Sequence, residues 1–217
     1  LVGMFGFQGD RIHYVPGAYN QIFDRPLNNN KNLLPGRREG EFRFVTISPY
    51  FKHKNLAIIK DIIKLLLDKD ICNVKFILTI DDMNYKNIFS EYTNYVINVG
   101  TIEIEECPIL YSECDATFMP TLLESYTAIY PDSIKMGKPI ITTNLGFATS
   151  VCGDAALYFE PSSALDASER IIELIGSPEL YERLVSNGKK RLQDLITASE
   201  RAELYFDLMR VIVKEAN

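Results

Sequence analysis

Glu124 and Asp132 stand eight positions apart in the stretch LLESYTAIYPDSIKMGKPIITTN, residues 122–144. Between them lie Ser125, Tyr126, Thr127 and Ala128, and then Pro131, which suits the first turn of a helix because its missing N–H is not needed there. A tight turn over 125–129 leading into that helix leaves backbone amides free, and free amides together with the helix dipole attract an anion. Carboxylates are poor partners for phosphate but good acceptors for neighbouring hydroxyls on a sugar ring. One acid on each flank of a phosphate site therefore suggests a sugar on one side and a ribose on the other, the outline of a nucleotide-sugar. A plainer reading stays open: both acids simply complement the start of a helix.

The rest of the composition narrows the class. The chain has 217 residues, enough for one good-sized core, with 47% apolar and 24% charged residues. A formal charge of −6 argues against a nucleic-acid partner, whose mark is a basic face. Cysteines at 72, 107, 114 and 152 lack metal-ligand spacing and read as reduced thiols. No apolar run is long enough to span a bilayer. The expectation is a cytoplasmic protein, with peripheral contact at a membrane surface left open for a longer chain. The first residue is Leu rather than Met, which reads as a fragment.

Strands and helices alternate along the sequence. Strand-like runs fall at 41–48, 73–80, 95–100, 116–120, 138–144 and 155–161. Helical patterns fall at 55–69, 81–92, 105–114, after the 125–129 turn, and in three closing segments at 163–177, 178–193 and 196–215. The Ser-Pro-Glu-Leu and Ser-Asn-Gly runs of the last region read as start and stop signals between those helices. Alternation with continuous apolar strands implies a parallel sheet covered on both faces. Ligands of such sheets bind beyond the carboxyl ends of the strands. Those ends carry 48–55, 80–82, 100–102, 120–128 and 142–146, and the chemically informative residues fall there. The run NNNKN at 28–32 reads as a linker.

The stretch LLESYTAIYPDSIKMGKPIITTNLG resembles the donor-site motif of the retaining glycosyltransferases of family 4, which have the two-domain GT-B fold. NVGTIEIEECPILYSECDATFMPTLLES and VCGDAALYFEPSSALDASERIIELIGSPELYERLVSNGKKR are similar to flanking family segments. YFKHKNLAII resembles the family's His-Lys-Asn loop, and DRIHYVPGAYNQIF resembles the segment that ends its first domain.

The resemblance implies an α/β, Rossmann-like donor domain at 41–195, the carboxy-terminal half of a GT-B enzyme. Residues 1–40 would be the end of the amino-terminal domain and a linker. Residues 196–217 would be a helix crossing back to the missing domain, loosely held here. It also implies roles. Glu124 would bond donor-sugar hydroxyls and Asp132 the ribose. The amides of Ser125, Tyr126, Thr127 and Ala128 would hold sugar and phosphate oxygens. Lys54, helped by Lys52, would neutralise the diphosphate, and the backbone at Gly100, Thr101 and Ile102 would meet the base. No metal or other cofactor is implied. The acceptor, a glycan or lipid-linked glycan, would bind the missing domain. His13 and His53 are bystanders in this reading.

Three positions depart from the family pattern: Asp132 in place of Glu, Pro49 in place of an Arg, and Thr127 in place of a Gly. A second class fits some of the same residues: a non-catalytic nucleotide-sugar binding module or a degenerate receiver-like signalling domain. The receiver echo rests on TIDD at 79–82, Asp115, the strand ending in Thr142–Thr143, and a late Pro161. It strains at Asp115, which starts its strand where a phosphoacceptor should end one, and at Glu160, where a lysine is needed.

Overall fold

The computed structural model describes residues 6, 9, 12–27 and 31–215. Asn28–Asn30 of the expected linker, residues 1–5, 7, 8, 10 and 11 of the expected amino-terminal remnant, and the last two residues of the closing helix lie outside the described residues.

Six strands form one parallel sheet: β1 (Phe42–Thr46), β2 (Val74–Leu78), β3 (Val96–Asn98), β4 (Ala116–Met119), β5 (Ile140–Thr143) and β6 (Ala156–Phe159), in the order β3-β2-β1-β4-β5-β6. In β1 the side chains of Phe44 and Val45 enter cores on opposite faces, as do Phe76 and Ile77 in β2 and Phe118 and Met119 in β4. That is the period-2 alternation of a strand with both faces covered, and it explains why these strands read as unbroken apolar runs.

Helices cover both faces. Over one face lie α1 (Ile58–Leu67), α2 (Asp82–Phe89) and α6 (Ala164–Gly176), which bury Ile59, Ile62, Phe89, Ile171 and Leu174 against a row of strand phenylalanines. In that row Phe118 stacks on Phe159 at 5.7 Å and meets Phe76 edge-on at 5.5 Å. Over the other face lie α3 (Cys107–Ser112), α4 (Ile129–Lys135) and α5 (Gly146–Cys152). Two further helices, α7 (Pro178–Leu192) and α8 (Ala198–Glu215), close the described chain.

The sequence reading placed all six strands and missed one helix, α5. Its seven residues, GFATSVC, are too short for a helical period to show. The Ser-Asn-Gly signal fails too. Asn187 and Gly188 lie inside α7, where an added Cβ at Gly188 would meet Ile134 of α4 at 3.6 Å. This glycine continues the helix, buried against α4, and is not a stop. The real boundary is Thr197: its hydroxyl accepts from the Glu200 amide, and Glu200 accepts from the Thr197 amide, a reciprocal cap.

Candidate functional site between β1 and β4

The chain leaves β1 for β2 and β3 on one side, then returns as β4 on the other side of β1. The loops after β1 and β4 therefore run in opposite directions and open a crevice at the carboxyl ends of the strands, where ligands of such sheets bind.

Both loops are fastened across that crevice. After β1 the chain makes a single 3-10 turn, Lys52–Lys54, closed by Asn55 at φ 54°, a left-handed conformation that asparagine tolerates. The Leu122 amide donates to the His53 carbonyl at 2.7 Å. Lys54 Nζ then donates to Glu124 Oε1 at 2.5 Å, with side chains 11% and 9% exposed. The hydroxyl of fully buried Thr121 lies 3.0 Å from the same oxygen. Glu124 Oε2 has no hydrogen-bond partner among the described residues. The fold thus joins a cation and a carboxylate 70 residues apart in sequence.

The turn after Glu124 leads directly into α4. None of the backbone amides from Ser125 to Ala128 donates to an acceptor among the described residues. Ile129, read as the last turn residue, is already helical, and its amide bonds the Thr127 hydroxyl at 3.3 Å. Beneath the turn, hydroxyls dock α4: Tyr130 meets Thr142 at 2.8 Å, and Ser133 meets Thr117 at 2.8 Å. Burial pushes the Tyr130 phenol well above its ordinary range, so it stays a neutral partner.

Asp132 lies one helical turn further on and makes no hydrogen bond to the Lys54–Glu124 pair. Its carboxylate accepts the Asn20 amide at 3.1 Å. Burial raises its pKa to about 7, opposed by the Asn20 bond. Gly100, at φ 73°, makes the turn after β3 in a conformation that suits glycine. Thr101 and Ile102 line a cavity of about 350 Å³ with Ser48, Pro49, Thr79 and Cys107, at the ends of β1, β2 and β3. Pro49 therefore shapes this cavity's wall and brings no charge to it. Lys52 is exposed on the same turn as Lys54. Among the described residues no group of three or more His, Cys, Asp or Glu is arranged to hold a metal ion.

Two features went unread in the sequence. Asn55 Nδ2 is buried with no acceptor, beside Lys54; the His-Lys-Asn run marked the loop but not this amide. Tyr126 leans away from the crevice, donating its hydroxyl to the Ala18 carbonyl at 2.8 Å. A Cβ added at Gly17 would fall 1.7 Å from its ring, so only glycine fits there.

The receiver-like reading fails on geometry. Asp115 precedes β4 and pairs with Arg37 at 2.7 Å at the amino end of the sheet, away from the ligand loops. The six-stranded order also differs from the 2-1-3-4-5 order of receiver domains.

Residues 34–191 match the family described as Glycosyl transferases group 1. No curated protein matches the sequence. Among solved structures, WaaG, a glycosyltransferase involved in lipopolysaccharide biosynthesis, superposes with a TM-score of 0.76 at 14% identity, over 94% of this chain and 58% of that one. Sucrose-phosphate synthase from Thermosynechococcus elongatus gives 0.75 at 17%, over 93% and 52%. Anabaena Alr3699/HepE, solved in complex with UDP and glucose, gives 0.68 at 16%, over 79% and 48%. The chain spans about half the length of these structures. At such identities the likeness is one of fold, the Rossmann-like half of a GT-B glycosyltransferase. Among the described residues no helix is long and apolar enough to cross a membrane.

Proposed function

The chain belongs to the group 1 glycosyl transferases, and on that premise we propose that it is the donor half of a retaining enzyme, binding a nucleotide-diphosphate sugar between β1 and β4. The observation that carries this reading is the Lys54–Glu124 pair at the switch point, with one carboxylate oxygen still unpartnered. That oxygen lies in the crevice at the carboxyl ends of the strands, where it is free to accept from a ligand hydroxyl.

Each group then has a task that its chemistry suits. Lys54 and the amides of Ser125–Ala128 neutralise the diphosphate as charge builds on the leaving group, which is electrostatic stabilisation by donors already in place. Glu124 Oε2 accepts a hydroxyl of the transferred sugar. Asp132 accepts the ribose hydroxyls, and the cavity beside Thr101 and Ile102 receives the base. Binding needs no metal, since Lys54 and the turn amides supply the positive field. The acceptor, a glycan or lipid-linked glycan, is held by a domain outside these residues, consistent with a chain half as long as its solved relatives. The setting is the cytoplasmic side, with peripheral contact to a membrane where the acceptor is lipid-linked.

Calorimetry with a nucleoside diphosphate in excess chelator tests the reading. Binding is expected. Binding that appears only with magnesium or manganese overturns metal independence, and none under either condition overturns the donor site. Sugar transfer by the 217-residue chain alone would remove the need for an acceptor domain, because positioning supplies a large share of the rate.

A further inference from the structure

A second cavity, of about 520 Å³, lies behind the donor turn, between the Ala18–Gln21 segment, Tyr126 and the first turns of α8. Its size suits a monosaccharide-sized ligand. Arg201 of α8 lines it, with its guanidinium 5.8 Å from the Tyr126 ring centre and 5.6 Å from that of Tyr205. The cation is therefore positioned by two ring faces rather than by an acid.

Its hydrogen-bonding capacity is almost unused. Arg37, Arg43, Arg170, Arg191 and Arg210 each lie within 3.5 Å of a carboxylate. Like exposed Arg25, Arg38 and Arg183, Arg201 has no carboxylate partner among the described residues, but unlike them it is half-buried. Among the described residues the Tyr205 hydroxyl, at 3.5 Å, is the guanidinium's only acceptor, and Nε is buried with none. No Asp or Glu lines the cavity, although acids outnumber bases by 29 to 23 in this chain. A buried guanidinium Nε without an acceptor is costly, and a carboxylate or phosphate is what the guanidinium fork matches. The walls add two phenol rings, surfaces on which a sugar ring or other flat ligand packs, and Ala18, Ala128, Ala198 and Ala202 leave the room.

We propose that this cavity binds a sugar-sized ligand bearing an oxyanion, a phosphate or a carboxylate, with Arg201 as the anion's partner and Tyr126 and Tyr205 as its walls. The site is distinct from the Lys54–Glu124 crevice and touches it only through the donor turn, so an occupant here sits next to the transferred sugar without sharing its carboxylate.

The test titrates the 217-residue chain with glucose 6-phosphate, glucuronate and neutral methyl glucoside, followed by amide chemical shifts. At least one anionic probe is expected to bind about tenfold or more tightly than the neutral one, as befits a charge-assisted contact. The preferred anion tells phosphate from carboxylate. Arg201→Gln is expected to abolish that preference while leaving nucleoside diphosphate affinity unchanged, which separates this site from the donor site. Ala202→Leu, which narrows the cavity and keeps the charge, is expected to weaken all three probes. Equal binding of the three probes, no binding of either anion, or an anion preference that survives Arg201→Gln in a variant that melts like wild type would each overturn the proposal.

Discussion

Two buried ion pairs sit at opposite ends of the sheet, and they are built differently. At the amino end, Arg43 Nε donates to Glu41 Oε1 at 2.6 Å, with side chains 4% and 6% exposed. Arg43 also donates to the Pro35 carbonyl at 2.8 Å, and its own amide is held by Asp115 at 2.7 Å. At the carboxyl end, Lys54 and Glu124 are almost as buried, yet Lys54 has a single acceptor and Glu124 one oxygen without any. Each pair leaves one carboxylate oxygen, Glu41 Oε2 and Glu124 Oε2, without a hydrogen-bond partner among the described residues. The first pair is closed in by the loop that leads into β1; the second is open to the crevice at the carboxyl ends of the strands, where ligands of such sheets bind. Burial and unused acceptors alone do not separate a structural pair from a binding pair; location in the fold does.

The largest effect should come from the closed pair. Arg43→Ala strands Glu41 and is expected to lower stability by about 3–5 kcal/mol, read from denaturant midpoints, as for other broken buried pairs. Lys54→Ala is expected to lose less, about 1–2 kcal/mol, because Glu124 keeps the Thr121 hydroxyl and an oxygen that water can reach. Equal losses would erase the distinction between the two ends.

Next in size are ligand effects at the open end. Glu124→Ala should weaken a nucleotide-sugar by about 1–3 kcal/mol and leave the sugar-free diphosphate nearly untouched. Asp132→Ala should weaken both ligands alike, since both carry the ribose. Titrating each variant with both ligands decides the matter. If each variant merely loses melting temperature without discriminating between ligands, both acids are helix complements and the open pair is not a sugar site.

The last effect is a pH dependence. Burial raises the Asp132 pKa to about 7, above the usual carboxylate value of 3.8. The folded chain then holds a proton that the unfolded chain has released, so stability falls as pH rises from about 4 to about 7 and levels off above. Asp132→Asn should flatten that slope in thermal melts. Deprotonated Asp132 is the better acceptor, so nucleoside diphosphate affinity should rise between pH 6 and pH 8 in the wild type and stay level in Asp132→Asn. A wild-type melt that is flat across this window would place Asp132 in contact with solvent rather than in a half-buried socket.

Much of this was legible in the residues. The parallel sheet followed from apolar strands buried on both faces, a pattern that survives in one dimension because every strand residue faces a core. The start of α4 followed from local chemistry too, since Pro131 falls in its first turn. Short or tertiary features were not legible. The helix at Gly146–Cys152 is too brief for a helical period, and Gly188 reads as a stop until Ile134 is seen against it.

The sequence by itself determined which groups are available to the proposed site: Lys54 in a His-Lys-Asn loop, Glu124 before a polar turn, Asp132 in the helix that follows. Only the tertiary structure decided their company. The crossover from β3 back to the far side of β1 brings Glu124 to Lys54, and no local pattern encodes a contact 70 residues away. The same holds for Asp132, whose amide partner Asn20 lies 112 residues earlier, and for Arg201, placed between Tyr126 and Tyr205 by the docking of α8 beside the Ala18–Gln21 segment. Residue types are written in the chain, but which valences stay open depends on what the fold packs against them.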